Sequence, residues 1–186
     1  MKLVLKEVAS VLSCCTHVPD VLVKGWSTDT REVRPGELFF ALRGPRHDGH
    51  DFVEEAFRKG AVAAVVERPL GGGVCLVVPS VLEALQQLAN YARRRWGRVV
   101  VAVTGSAGKT TTKEAVAAVL GTRGPVGKSY GNYNNHIGVP LSLLRVPEEA
   151  WATVLELGMN HAGEIRQLTR IAEPQVGVVT LVGYAH

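Results

Sequence analysis

The chain has 186 residues, and its 46% apolar and 20% charged residues are ordinary for a globular protein able to bury a core. A formal charge of +4 suits anionic small ligands and is too diffuse to indicate nucleic acid. Cys14, Cys15 and Cys75 show neither metal spacing nor a disulfide framework, Lys6 and Glu7 interrupt the apolar start MKLVLKEVASVL, and no apolar run reaches the ~20 residues of a membrane span. The expectation is a protein of a reducing compartment, the cytoplasm.

The chain divides near Trp96-Gly97, giving a small mixed α/β unit over residues 1–97 and a second unit over 98–186. In the first, Leu5, Val8 and Leu12 mark a short helix. Strands are expected at Val21–Trp26 and Leu38–Leu42, with Pro35-Gly36 turning between them. Phe52–Lys59 reads as a helix closed by Gly60, and Ala63–Val66 and Val74–Val78 read as strands joined by the turn Gly71-Gly72-Gly73. Ser80 and Glu83 form a capping box for a helix whose apolar stripe is Leu82, Leu85, Leu88, Ala89 and Ala92. Arg93, Arg94, Arg95 and Arg98 follow, read as a solvated helix end. In the second unit, strands are expected at Val99–Val103, Thr153–Leu157 and Val176–Val182. Helices at Lys109–Leu120 and Gly163–Ala172 alternate with them, the pattern of a parallel sheet.

The segment RVVVAVTGSAGKTTTKEAVAAVLG, residues 98–121, carries the strongest signal. An apolar β-branched strand runs into Gly105, Ser106, Ala107 and Gly108, then Lys109, Thr110 and Thr111 open a helix. Glycines let backbone N–H groups crowd a phosphate, and the helix N-terminus adds partial positive charge. In such a loop Lys109 reaches the β/γ-phosphates of a nucleotide such as ATP, and the Thr110 hydroxyl takes Mg²⁺. Val103 stands where the common pattern has its first glycine.

Ligands of parallel sheets bind beyond the carboxyl ends of strands. There the second strand carries Glu156, either a Mg²⁺ ligand or the partner of a Lys or Arg. The third ends in His186, either functional or simply the end of the chain. Between them lies Gly127–His136, whose amides and glycines either form turns or face ligand. In the first unit the polar islands are Ser27–Arg31 and Arg43–His50. Arg31, Arg43 and Arg46 are candidates to clamp a diphosphate, and hydroxyls and Asp29 to bind a sugar or base, with capped turns as the plain alternative. His47 and His50 lack the further ligands a metal needs.

Several long runs carry a resemblance to the Mur ligases, ATP-dependent enzymes of peptidoglycan precursor synthesis and hence of cell-wall biogenesis. TGSAGKTTTKE (Thr104–Glu114) resembles the family's shortened phosphate loop. GNYNNHIGVPLSLL (Gly131–Leu144) and ELGMNHAGEI (Glu156–Ile165) resemble the MurF branch, which adds D-alanyl-D-alanine to UDP-N-acetylmuramoyl-tripeptide. STDTREVRPGELFFALRGPRHDGHDF (Ser27–Phe52) resembles the UDP-substrate domain of the MurE and MurF branches.

The resemblance implies an α/β fold, with a small mixed substrate domain followed by the first part of a phosphate-loop, parallel-sheet ATP-binding domain. It implies that Lys109, Glu156 and His186 are catalytic, and that Gly105 through Thr111 bind ATP. Thr110, Glu156 and His186 would be linked to Mg²⁺. Thr28, Asp29, Thr30, Arg31, Arg46, Asp48, His50, Asn134 and Asn135 would serve the substrate. The tripeptide carboxylate would be phosphorylated and the acyl phosphate attacked by the amine of D-alanyl-D-alanine. Leu181 departs from the family's usual amide. Family members run well past His186, so the chain reads as an N-terminal fragment that by itself does not complete ligation, its last strand a possible edge for self-association. A non-catalytic nucleotide or UDP-sugar binding module and a MurE-type fragment are the competing readings.

Overall fold

A computed structural model describes residues 1–45 and 47–183. Arg46 and His186, both expected site residues, lie outside the described residues. The chain folds as two compact units, one of Lys2–Leu88 and one of the residues from Ala89 onward together with Met1.

In the first unit β1 (Leu3–Val4) leads directly into α1 (Leu5–Val11) and pairs antiparallel with β2 (Leu22–Val23). The expected strand Val21–Trp26 is therefore split. Its second half, β3 (Gly25–Ser27), joins a separate parallel sheet with β4 (Glu37–Phe40), β5 (Ala63–Val66) and β6 (Cys75–Val77), in the order β3-β4-β5-β6. The break falls at Lys24, whose amide donates to the carbonyl of Gly36. Between β4 and β5 a 3₁₀ turn, Gly49–Phe52, runs into α2 (Val53–Arg58). Phe39, Ala41, Val53, Ala56, Ala64 and Val66 close the core beneath that helix. The first polar island begins at Ser27, the last residue of β3, and the second begins at Arg43, just past the carboxyl end of the adjacent strand β4.

Helix α3 (Val81–Trp96) begins in the first unit and ends in the second. The Glu83 amide donates to Ser80 Oγ at 3.3 Å, as the capping box requires. At its other end the expectation of a solvated arginine cluster fails for Arg93, which is 4% exposed. Its guanidinium donates to the carbonyls of Ala172 and Glu173, where a neighbouring helix ends and carbonyls lack intrahelical partners. Arg94 pairs with the Glu173 carboxylate, and Arg98 donates to the carbonyls of Glu149 and Ala150.

The second unit is a parallel α/β sheet of β7 (Val99–Thr104), β8 (Val126–Lys128), β9 (Ala152–Glu156) and β10 (Val176–Val179), in the order β10-β7-β9-β8. Helices α4 (Lys109–Gly121), α5 (Gly138–Leu144) and α6 (Glu164–Ala172) connect the strands. Strand β8 and helix α5 are absent from the sequence reading. A three-residue strand centred on Gly127 offers no alternation, and a wholly buried seven-residue helix containing Pro140 offers no amphipathic period. Among the described residues strand β10 is an edge, and it ends earlier than expected, with Val176 and Val179 exposed.

Candidate functional site: the phosphate loop and the end of β9

Strand β7 stops at Thr104, whose hydroxyl donates to the carbonyl of Leu157 at 2.9 Å. The chain then turns through Gly105 (φ 140°) and Gly108 (φ 79°), backbone conformations that favour glycine. A Cβ on Gly105 would collide with Thr180 Oγ1. The loop is fastened from the β10 side. The Thr180 hydroxyl donates to the Ala107 carbonyl at 2.6 Å, the Ser106 amide to Leu181 at 2.7 Å, and Ser106 Oγ to Gly183 at 2.8 Å. Ser106 thus fixes the loop, while the loop's glycines shape it.

Helix α4 opens without a capping side chain at Gly108 and without an acidic residue in its first turn. The amides of Lys109, Thr110 and Thr111 have no intrahelical acceptors at this position, and no carboxylate of the helix neutralises its positive end. Such an end is built for an anion. Lys109 Nζ lies across the loop, donating to the Gly105 carbonyl at 2.8 Å.

Glu156, the last residue of β9, is 3% exposed. One carboxylate oxygen accepts the Thr110 hydroxyl at 2.7 Å and the other accepts Asn134 Nδ2 at 2.9 Å. It forms no ion pair among the described residues, so the alternative of a Lys or Arg partner falls away there. Asn134 reaches it past Gly158, where a Cβ would stand 2.8 Å from the Asn134 amide carbon, and the Gly158 amide donates to the Asn134 carbonyl. Asn135 does something else: its Oδ1 accepts the amides of Ile137 and Gly138 and caps α5. Two residues that the sequence reading carried only inside longer runs, Ser129 in Gly127–His136 and Lys113 in Thr104–Glu114, underlie the site. Ser129 Oγ accepts the Glu156 amide at 3.0 Å, and Lys113 Nζ donates to the Ser129 carbonyl at 2.9 Å. The one available signal was the position of Lys113, a helical turn beyond Thr110.

The donor set suits magnesium. Thr110 and Glu156 offer hard oxygens side by side, and Mg²⁺ takes one or two such protein ligands together with phosphate oxygens. Among the described residues no three His, Cys, Asp or Glu side chains gather as an all-protein cage would require.

In the first unit, Asp29 holds the Arg31 guanidinium, which keeps its carboxyl below the usual carboxylate range. Thr28 is half-buried, Thr30 is buried, and the Thr30 carbonyl accepts Lys59 Nζ. Asp48 accepts the amide and ring N–H of His50 and pairs with Arg43 and Arg68. These bonds, the His50 amide first, hold its carboxyl at about 2. His50 is 4% exposed, and its Nε2 accepts the Glu67 amide, so the proton sits on Nδ1. With both ring nitrogens engaged inside the protein, His50 braces the loop from within. Glu67 also pairs with Arg43 and accepts the amide of Val81 at the start of α3.

The Mur ligase family catalytic domain matches residues 22–96, and the Mur ligase middle domain matches residues 103–186, which include the loop and Glu156. The chain belongs to the Mur ligase family. This Mur ligase chain is 46% identical over 169 residues to UDP-N-acetylmuramoyl-tripeptide–D-alanyl-D-alanine ligase of Bacillus subtilis (strain 168), covering 89% of the chain and 37% of that protein. It is 40% identical over 183 residues to the ligase of the same name from Escherichia coli (strain K12), covering 98% and 40%. MurF from Acinetobacter baumannii superposes with a TM-score of 0.90 at 36% identity, covering 96% of this chain and 41% of that one. MurF ligase from Thermotoga maritima in complex with ADP gives 0.80 at 39% identity, covering 88% and 39%. The Mur ligase chain therefore spans about two fifths of the length of these relatives.

Proposed function

We propose that this chain is the substrate-binding and nucleotide-binding part of an ATP-dependent ligase that joins D-alanyl-D-alanine to UDP-N-acetylmuramoyl-tripeptide in the cytoplasm. The observation that carries the reading is the Thr110–Glu156–Asn134 cluster beside an uncapped helix N-terminus, on a chain similar to ligases of that name. Residues 1–97 would take the UDP end of the substrate and residues 98–186 the ATP.

In this reading the free amides of α4 and the Lys109 ammonium bind the phosphates and hold the γ-phosphoryl group for in-line attack by the tripeptide carboxylate. Thr110 and Glu156 hold Mg²⁺, which when bound neutralises charge on the transferring phosphoryl group. Asn134 keeps the Glu156 carboxylate turned toward Thr110. The resulting acyl phosphate is then open to the amine of D-alanyl-D-alanine, with phosphate as leaving group. Asp29, Thr28, Thr30 and Arg31, with Asp48 and Arg46, would meet the UDP portion, and His50 would support them by fixing Asp48.

The test is binding. The chain is expected to take ADP in a Mg²⁺-dependent manner by calorimetry. With UDP-N-acetylmuramoyl-tripeptide, NMR shifts are expected at Thr28–Arg31 and Asp48. Shifts confined to other surfaces would remove the first unit from the proposal. The exposed valines on edge strand β10 also offer a surface for self-association, which sedimentation velocity reads directly.

A further inference from the structure

Lys113 is 1% exposed, yet nothing in the phosphate chemistry above uses it. Its Nζ donates to the Ser129 carbonyl at 2.9 Å and lies 3.2 Å from a Glu114 carboxylate oxygen. Burying an ammonium is costly, and apolar residues of similar volume in place of buried ion pairs are often neutral or stabilising. Packing alone therefore gives no reason for a lysine at this position. Its geometry does. Lys113 sits three residues beyond Thr110, so the two share a face of α4. At the first point Thr110 holds the Glu156 carboxylate, and at the second Lys113 holds Ser129. Ser129 accepts the Glu156 amide on its own hydroxyl at 3.0 Å. Thr110, Glu156, Ser129 and Lys113 thus close a ring that joins α4 to the end of β9.

We propose that Lys113 is a positioning residue for the cation-binding pair. By gripping Ser129 through a charge-assisted hydrogen bond, it fixes α4 against β9 so that the Thr110 hydroxyl meets the Glu156 carboxylate. This rests on the reading that Thr110 and Glu156 hold Mg²⁺ with the nucleotide. Ser129 is the intermediary, contributing its carbonyl to Lys113 and its hydroxyl to Glu156.

The experiment measures ADP affinity of the 186-residue chain by calorimetry, in Mg²⁺ and in EDTA, and takes the ratio of the two. Lys113→Met keeps the volume and removes the charge. It is expected to lower the ratio by about tenfold, the scale on which outer partners of metal ligands act, while affinity in EDTA stays near wild type. Ser129→Ala keeps the carbonyl and removes the hydroxyl under Glu156. It is expected to show the same metal-selective loss, and it decides the matter if Lys113→Met does not fold. Equal losses in Mg²⁺ and EDTA would make Lys113 a purely structural residue and overturn the proposal. So would an unchanged ratio in Lys113→Met or, where that variant does not fold, in Ser129→Ala. Glu156→Gln separates the two levels. If it collapses the ratio while the other two variants leave it intact, the positioning role alone is wrong. If it too leaves the ratio intact, the underlying metal reading falls and the positioning role with it.

Discussion

The Thr110 hydroxyl donates to the Glu156 carboxylate at 2.7 Å, joining the first turn of a helix to the end of a strand 46 residues further along the chain. Glu156→Gln keeps the shape of the side chain and removes its charge. The gain in ADP affinity brought by Mg²⁺ is expected to fall by about 2 kcal/mol, the lower range for removing one partner of a charged pair. Calorimetry with and without EDTA checks this, and an intact metal dependence would refute the assignment.

Lys109 supplies the point charge across the loop, while the backbone amides of α4 stay in place without it. Lys109→Ala is expected to cost about 2–4 kcal/mol in nucleotide affinity. Titration of wild type and variant with an ATP analogue and Mg²⁺ measures the difference, and equal affinities would take Lys109 out of the phosphate site.

Asp48 gives a pH signature in the first unit. The hydrogen bonds from His50, with Arg68, lower its carboxyl to about 2 in the folded chain. A lowered folded-state value means that its stabilisation is complete above the unfolded value of about 4 and is lost as the pH falls toward 2. Asp48→Asn is expected to lower stability at pH 7 by about 1 kcal/mol once solvent screening of this partly exposed group is allowed for. Urea midpoints of the two proteins should converge between pH 4 and about 2. A gap that stayed constant with pH would show that the charge of Asp48 contributes nothing.

Arg93 is a buried clamp. Its guanidinium serves the carbonyls of Ala172 and Glu173 at 2.9 and 3.0 Å, and burial pulls it below its ordinary value, partly countered by Glu173. Arg93→Met would leave both carbonyls without that donor, and is expected to cost about 2–4 kcal/mol in denaturant unfolding. Arg93→Lys should recover little, because one ammonium cannot reproduce the planar fork. A loss below ~0.5 kcal/mol would return Arg93 to the solvated surface.

The readable parts of this protein were those whose signal is local. The run Val99–Val103 followed by Gly105, Gly108, Lys109 and Thr110 is a strand, a turn and a helix start in twelve consecutive residues, and the structure keeps all three. Glu156 was legible because an acid in an apolar strand violates the burial pattern around it. Residues 126–128 and 138–144 are too short for a period of two or of 3.6 to show, and pairing with β9 and complete burial are what make them β8 and α5. Composition likewise could not separate Arg93 from its exposed neighbours, nor reveal that His50 spends both nitrogens inside the protein. The partners of Arg93 lie 79 and 80 residues away. Local periodicity determined the longer elements, whereas tertiary pairing and burial made the short ones, and hydrogen bonds between distant strands and helices determined which polar side chains hold the frame.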